Sequence, residues 1–89
     1  MARLITFEPG AWNDYEYWQT QNKKVAGRIR ILVKDIQRTP FIGIGKPEPL
    51  KHDKHGHWSR RIDEKNRIIY RITDEAIIIV ECRYHYNDL

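Results

Sequence analysis

Residues 77–86 read IIIVECRYHY and define the last strand of the predicted sheet. Its first half is an apolar, β-branched run with the length and composition of a buried strand. Its second half ends that strand in Arg83, Tyr84, His85 and Tyr86, where turn residues are more usual. Histidine exchanges protons near neutral pH, arginine binds phosphate through a planar fork of donors, and tyrosine rings stack on bases. This strand end therefore predicts a site for chemistry on nucleic acid.

The N-terminal half of the sequence predicts one strand and two helices. Residues 4–7 read LITF, a short apolar run typical of a strand. Between residues 11 and 21, aromatic side chains recur at every third position and predict a helix. We expect its aromatic stripe to be buried against the sheet or against a second copy of the chain: Trp12, Tyr15 and Trp18. After a break at Asn22, a second apolar face recurs with helical period. Pro40 ends this helix, because proline disfavours helical backbone in the residue before it.

The C-terminal half predicts a sheet built from hairpins. Strands are expected near residues 57–63, 67–73 and 77–84, with a further short strand near 50–53. We place Thr73 opposite Ile77, because a slip of one residue would bury Glu81 against the apolar side. The same alternation sets Ile72, Tyr70 and Ile68 opposite Ile78, Val80 and Cys82, and Ile62 opposite Ile68.

This register predicts a sheet with one apolar face and one cationic face. The cationic face carries Ser59, Arg61, Arg67 and Arg83, with His85 at its end. Arg60 falls on the apolar face, and we expect its charge to reach an edge of the sheet. The predicted fold is α+β, with the N-terminal strand and two helices packed on one face of a mainly antiparallel sheet.

Size and composition restrict what the chain can do. With 89 residues and 40% hydrophobic side chains, we expect residues 1–89 to form a single domain. The formal net charge of +4 and the pI near 9.4 favour polyanions or an acidic protein partner. Cys82 is the single cysteine, which excludes a disulfide framework. The sequence shows no signal peptide or membrane span, so we expect a cytoplasmic protein that does not contact a membrane.

The residue types that cut RNA without a metal or cofactor are all present. Such cleavage requires a base for the 2′-hydroxyl, cations for the phosphate and an acid for the leaving 5′-oxygen. Glu48, held between two prolines, is the candidate base, and His85 is the candidate acid. Tyr84 or Tyr86 can stack on a base. The candidate phosphate clamp comprises Lys51, Arg61, Arg67 and Arg83.

Several motifs together resemble one protein family. They are WNDYEYW at residues 12–18, TPF at 39–41, GKPEPLKH at 45–52, WSRRI at 58–62 and CRYHY at 82–86. With this spacing from Leu4 to Tyr86, the chain resembles the YoeB/Txe toxins of the RelE superfamily. That resemblance implies a RelE-like, microbial-ribonuclease-like fold. It also implies a ribosome-dependent endoribonuclease, or mRNA interferase, that cleaves mRNA in the ribosomal A site. The implied partners are the ribosome, mRNA, a second copy in a homodimer and a cognate YefM/Axe-type antitoxin.

The resemblance also assigns roles to particular residues. It implies that Glu48 is the general base and that Arg67 stabilises the phosphate. It implies that His85 and Tyr86 form the terminal pair of the site, with Lys51 and Arg61 as supporting cations. The loop before the GKPEPLKH motif reads FIGI, which is more apolar than the family pattern.

Other interpretations remain open at this point. Each residue alone has a simpler interpretation, because Pro-Glu-Pro is a rigid turn and surface arginines are ordinary. His52, His55 and His57 with Asp53 suggest a metal site, although such a loop is weak evidence for one, and we expect none. On the same scaffold, relatives poison DNA gyrase without cutting RNA, and a basic RNA-binding domain without catalysis is a third alternative. The combination of Glu48, Arg67 and His85 distinguishes the enzyme, because a binding protein needs no proton donor and acceptor.

Overall fold

The computed structural model describes residues 2–52 and 55–84 of the chain. The elements follow the order β1 Leu4–Phe7, α1 Pro9–Gln21, α2 Lys23–Arg38, β2 Glu48–Pro49, β3 His57–Arg61, β4 Arg67–Ile72 and β5 Ala76–Glu81. The strands form a five-stranded sheet in the order β1-β5-β4-β3-β2. Only the β1–β5 pair is parallel among these described strands. This architecture confirms the predicted α+β class.

The helices begin and end where the sequence disfavours helical backbone. Helix α1 starts at Pro9, two residues before the prediction, because proline at the first helical position lacks only an N–H that would be unpaired there. Asn22 ends α1 and caps α2, and its side-chain oxygen accepts bonds from the amides of Lys24 and Val25 at 3.2 and 3.3 Å. The predicted break at Asn22 is confirmed. Neither helix within the described ranges is long and apolar enough to cross a membrane.

Both helices pack on one face of the sheet. Their buried side chains contact alternate residues of the central strands, in a core that includes Tyr15, Ile29, Leu32, Ile36, Ile68, Tyr70, Ile77 and Ile79. Because successive strand residues point to opposite faces, the residues between these lie on the other side. We call that side the distal face; it carries Glu48, Ser59, Arg61, Arg67, Ile69 and Glu81.

The aromatic stripe of α1 is only partly in the core. Tyr15 is buried and Trp18 is partly buried, but Trp12 is 46% exposed, so the predicted burial of Trp12 against the sheet is wrong and its burial against a second copy stays a prediction. The Trp12 ring contacts Phe7 and Tyr15, with centroids 5.5 and 5.7 Å apart. Because Phe7 belongs to the edge strand β1, no further strand of the described residues extends beneath Trp12 to cover its outer side.

The register of the β4–β5 hairpin differs from the prediction near its turn. Ile72 pairs with Ile77 and Tyr70 with Ile79, so Ile77 and Ile79 are buried in place of Ile78 and Val80. A bulge follows, and beyond it Ile69 pairs with Glu81, which is the predicted register. The bulge therefore corrects the slip and keeps Glu81 off the core side.

The β3–β4 register also differs, by two residues. Arg60 pairs with Ile68, the position predicted for Ile62, and Arg61 pairs with Arg67. A shift of two residues preserves the face of every side chain. The predicted assignment of Arg61 and Arg67 to one face is confirmed. The predicted short strand near 50–53 is wrong over the described residues 50–52, because the extended pair is Glu48–Pro49.

Candidate functional site

Glu48 lies on the distal face in a row that crosses the sheet. Strand β2 pairs with β3 so that Glu48 is opposite Ser59, and Ser59 is in turn opposite Ile69. Directly opposed residues in antiparallel strands share a face, with Cβ atoms about 5 Å apart. The Glu48 side chain is exposed, whereas Ser59 beside it is buried. The candidate base Glu48 therefore lies at the edge of the sheet, beside the buried Ser59.

The opposed pair Arg61 and Arg67 forms the next row of the distal face. Ser59 and Arg61 are two residues apart on β3, a rise of about 7 Å, and neighbouring strands are about 4.8 Å apart. This spacing puts the Cα atom of Glu48 about 8 Å from that of Arg61 and about 12 Å from that of Arg67. A carboxylate and two guanidinium groups at these separations can approach one phosphodiester from different sides. Lys51 is exposed just beyond β2.

Arg67 is held more tightly than a surface arginine. It is 7% exposed, and its Nη1 donates to the carbonyl of Asp63 at 3.1 Å and, weakly, to that of Asn66 at 3.4 Å. Its backbone amide donates to the carbonyl of Tyr84 at 3.1 Å. The start of β4 is therefore tied to the residue that precedes His85 in the sequence.

The β3–β4 turn that holds Arg67 is built around two polar side chains. The Asp63 carboxylate accepts bonds from the amides of Lys65 and Asn66 at 2.9 and 2.7 Å. The Asn66 side chain donates to that carboxylate at 3.1 and 3.2 Å, and its oxygen accepts from the Tyr84 amide at 2.6 Å. Asn66 thus joins the turn to Tyr84.

Helix α1 fixes the end of β5 from the other side. The Asp14 carboxylate accepts a bond from the Cys82 amide at 3.0 Å, and the Trp18 indole donates to the Cys82 carbonyl at 2.9 Å. Burial raises the pKa of Asp14 above its ordinary value, and the bond from the Cys82 amide opposes that rise. Burial also raises the pKa of the Cys82 thiol to about 12, so the thiol stays protonated.

Arg83 stacks on aromatic rings. Its guanidinium carbon lies 3.5 Å from the ring centroid of Tyr17 on α1 and 4.5 Å from that of Tyr84. The structure therefore holds the Arg83 guanidinium against α1. A groove of about 470 Å³ lies beside it, lined by Tyr17, Trp18, Lys65, Asn66, Arg83 and Tyr84. Aromatic walls with two cations suit an unstacked nucleotide.

The structure thus brings Glu48, Arg61 and Arg67 onto one face and places Lys51 nearby. His85 and Tyr86 lie outside the described residues. The same is true of Asp53 in the suggested metal loop. Within residues 2–52 and 55–84, no group of three or more His, Cys, Asp or Glu side chains is arranged to hold a metal ion.

Known proteins are similar to this chain over most of its length. The profile of the YoeB-like toxin of bacterial type II toxin–antitoxin systems matches residues 7–86. The chain belongs to the YoeB toxin family. It is 54% identical over 76 residues to Toxin YoeB of Escherichia coli K12, covering 85% of this chain and 90% of that relative.

Solved structures of the YoeB family have the same fold. The YoeB dimer from Staphylococcus aureus superposes with a TM-score of 0.90 at 44% identity, over 97% of this chain and 100% of that one. The YoeB–YefM complex from the same organism gives a TM-score of 0.86 at 48% identity, over 96% of this chain and 100% of that one.

Arg60 is a buried anchor in this YoeB-family chain, and its predicted position at an edge is wrong. It is fully buried, and its guanidinium forms an ion pair of 2.6 Å with Asp35. The remaining N–H groups donate to the Tyr70 hydroxyl and to the carbonyls of Thr39, Ile42 and Ile44. The apolar FIGI loop thus wraps around one charge on its way to Glu48.

Sequence reasoning missed two other residues near the site. Asn66 was assigned only to a turn, although an Asp and an Asn three positions apart are a pattern that favours side-chain-stabilised turns. For Asp14, the sequence offered no signal, because its partner Cys82 is 68 positions away.

Proposed function

We propose that this chain is an endoribonuclease that cuts translated mRNA in the ribosomal A site. The observation that carries the proposal is the placement of Glu48 one row from the opposed pair Arg61 and Arg67. That arrangement supplies a proton acceptor and an anion clamp on one face. Membership of a toxin family supports the same activity.

In the proposed reaction, the Glu48 carboxylate accepts the proton of the ribose 2′-hydroxyl. The 2′-oxygen then forms a bond to the neighbouring phosphorus, and the bond from phosphorus to the 5′-oxygen breaks. His85 donates a proton to that leaving oxygen. The products are a fragment ending in a 2′,3′-cyclic phosphate and a fragment beginning with a 5′-hydroxyl. The role of His85 rests on the family resemblance.

Cations of the protein stabilise the charge that builds on the phosphate. Arg67 is the best placed for this role, because carbonyl bonds from the turn fix its guanidinium in advance. Arg61 and Lys51 are exposed and contribute to binding the RNA backbone. Arg83 serves the groove beside Tyr17 and Tyr84, and Tyr86 places the base. With these groups in place, the reaction as written requires no metal or cofactor.

The ribosome supplies the alignment that this small site lacks. In-line attack requires the 2′-oxygen, phosphorus and leaving oxygen to be held in one geometry, and orientation effects of this kind are very large. The exposed lysines at the start of α2, Lys23 and Lys24, together with Arg28, provide a cationic surface for ribosomal RNA. Action on translating ribosomes places the protein in the cytoplasm.

A cognate antitoxin of the YefM/Axe type neutralises the proposed toxin. The Staphylococcus aureus relative forms a complex with YefM, and a related structure is a YoeB dimer. We propose the same two assemblies for this chain. The net charge of +4 suits an acidic antitoxin segment that folds on binding and covers Arg67, so the affinity should fall as salt is added.

The experiment is primer extension on one mRNA in two states. In a reconstituted translation system, we expect cleavage within the codon in the A site. The same mRNA with its start codon removed loads no ribosomes, and we expect it to be cut at least about 100-fold more slowly. Equal cleavage of both would overturn ribosome dependence. Growth arrest without cleavage of either would favour the gyrase-poison alternative.

A further inference from the structure

Asn66 joins the turn between β3 and β4 to the backbone that follows β5. Asn66 is 8% exposed, and its two side-chain groups point in different directions. The amide nitrogen donates to Asp63 within the turn, while the oxygen accepts from the Tyr84 amide at 2.6 Å. The turn and Tyr84 are therefore joined by one side chain.

The same turn holds the phosphate-stabilising candidate. The carbonyls of Asp63 and Asn66 accept from the Arg67 guanidinium, and the Arg67 amide donates to the Tyr84 carbonyl. Tyr84 is consequently bonded on both sides of its peptide framework, through its amide to Asn66 and through its carbonyl to Arg67. Its backbone is in the left-handed region, with φ of 68°, which an L-residue rarely adopts without such bonds.

We propose that Asn66 is a positioning residue that holds Arg67 and Tyr84 in one relative geometry. This inference rests on the proposed ribonuclease function, in which Arg67 stabilises the phosphate and His85 follows Tyr84 directly in the sequence. Asn66 does not need to touch RNA in this role. Its effect is transmitted through the Asp63–Asn66 turn on one side and the Tyr84 amide on the other.

A positioning role predicts a particular kinetic signature. Asn66→Ala removes both bonds but leaves the charges of the site unchanged. We expect the single-turnover rate of mRNA cleavage at saturating programmed ribosomes to fall by about 10- to 100-fold, because small misplacements of catalytic groups have effects of that size. The ribosome concentration for half-maximal rate should stay within about threefold, since the binding cations remain. Asn13→Ala, at an exposed asparagine of α1, is the matched control.

A charge-conserving swap separates positioning from stability. Asn66→Asp alone keeps an acceptor for the Tyr84 amide but sets two carboxylates against each other, so we expect slow cleavage. In the intact chain, the Asn66 amide nitrogen donates to the Asp63 carboxylate at 3.2 Å. Adding Asp63→Asn to Asn66→Asp again puts one amide opposite one carboxylate, with the two groups exchanged. We expect this double variant to recover most of the rate. Recovery does not depend on whether Asn66→Ala folds.

Amide exchange of Tyr84, followed by NMR, tests the structural half without any cleavage. We expect exchange at least about tenfold faster in Asn66→Asp than in the swap variant. The inference is overturned if Tyr84 exchanges at the same rate in both, or if Asn66→Asp cleaves within about twofold of the intact chain. It is also overturned if the swap variant remains slow while as stable as the intact chain. Failure of the intact chain to cut ribosome-bound mRNA refutes the proposed function instead.

Discussion

Replacing Arg60 by methionine should destabilise this protein more than any surface change. Arg60→Met keeps an unbranched apolar stem but removes a guanidinium that is fully buried. The change removes the ion pair to Asp35 at 2.6 Å and the bonds to the carbonyls of Thr39 and Ile42 at 2.6 and 2.9 Å. These carbonyls belong to the loop that leads to Glu48.

The magnitude follows from what remains around Asp35. Breaking a buried ion pair by removing one partner costs about 3 to 5 kcal/mol, because the other charge stays buried. Asp35 keeps its bonds from Arg38 at 2.7 Å and from the Ile44 amide at 3.0 Å, which favours the lower end. We expect a loss of about 3 kcal/mol in the free energy of unfolding. With a urea slope of about 1 to 1.5 kcal/mol/M, the midpoint should fall by about 2 to 3 M.

Urea unfolding followed by tryptophan fluorescence measures this loss. The matched control is Arg38→Met, which removes the other cation bonded to Asp35. The Arg38 side chain is 79% exposed. Because Arg38 lies largely in solvent and Asp35 keeps its ion pair with Arg60, we expect a cost of only about 0 to 1 kcal/mol. Adding Asp35→Leu to Arg60→Met should recover part of the loss, since no buried charge is then left alone. A loss for Arg60→Met within about 1 kcal/mol of the Arg38→Met value would refute this reasoning.

Three other predictions concern the same network and the strand end. The amide of Ile44 and the guanidinium groups of Arg60 and Arg38 hold the pKa of Asp35 below its usual 3.8 despite burial, so its stabilising contribution is complete above that pH. The difference in unfolding free energy between the intact chain and Asp35→Asn should therefore shrink as the pH falls from 3.8 through the folded-state pKa, and a constant difference would contradict this. Cys82, with its pKa raised to about 12, should resist iodoacetamide at pH near 8 until urea unfolds the chain; rapid labelling of the folded protein would show that the thiol is not enclosed. Gly43 has φ of +129°, and a Cβ there would overlap the Asp35 carboxylate, so Gly43→Ala should destabilise the protein by about 2 kcal/mol or more. Gly10 has open space around it, so Gly10→Ala should be neutral or stabilising. Equal effects of the two variants on thermal unfolding would exclude the overlap.

The sequence was sufficient where local chemistry decides the structure. The apolar face of α2 and the break at Asn22 were predictable, because helical period and side-chain capping act within a few residues. The shared face of Arg61 and Arg67 was predictable as well, since alternation survives a shift of two residues. Glu48 was a candidate base from its residue type alone, but its place opposite Ser59 was not predictable, because that pairing joins separate segments.

The sequence was insufficient where the partners are distant or depend on exact turn geometry. The Thr73 hydroxyl accepts bonds from the amides of Glu75 and Ala76, which tightens the hairpin turn. That turn slips the register by one residue, and the bulge between Ile79 and Glu81 then restores it. Arg60 did not fit the alternation of polar and apolar residues in its strand. Its acceptors come from α2, the following loop and β4, and no local rule brings them together.

The measurement that tests the central claim most directly is the rate of mRNA cleavage on programmed ribosomes by Glu48→Ala. Its matched control is Glu16→Ala, at an exposed glutamate of α1. If Glu48 is the base, its loss should slow single-turnover cleavage by about 10² to 10⁴-fold, with the control unchanged and products of the intact chain carrying 5′-hydroxyl ends. Cleavage by Glu48→Ala at the rate of the Glu16→Ala control would show that Glu48 is not the base.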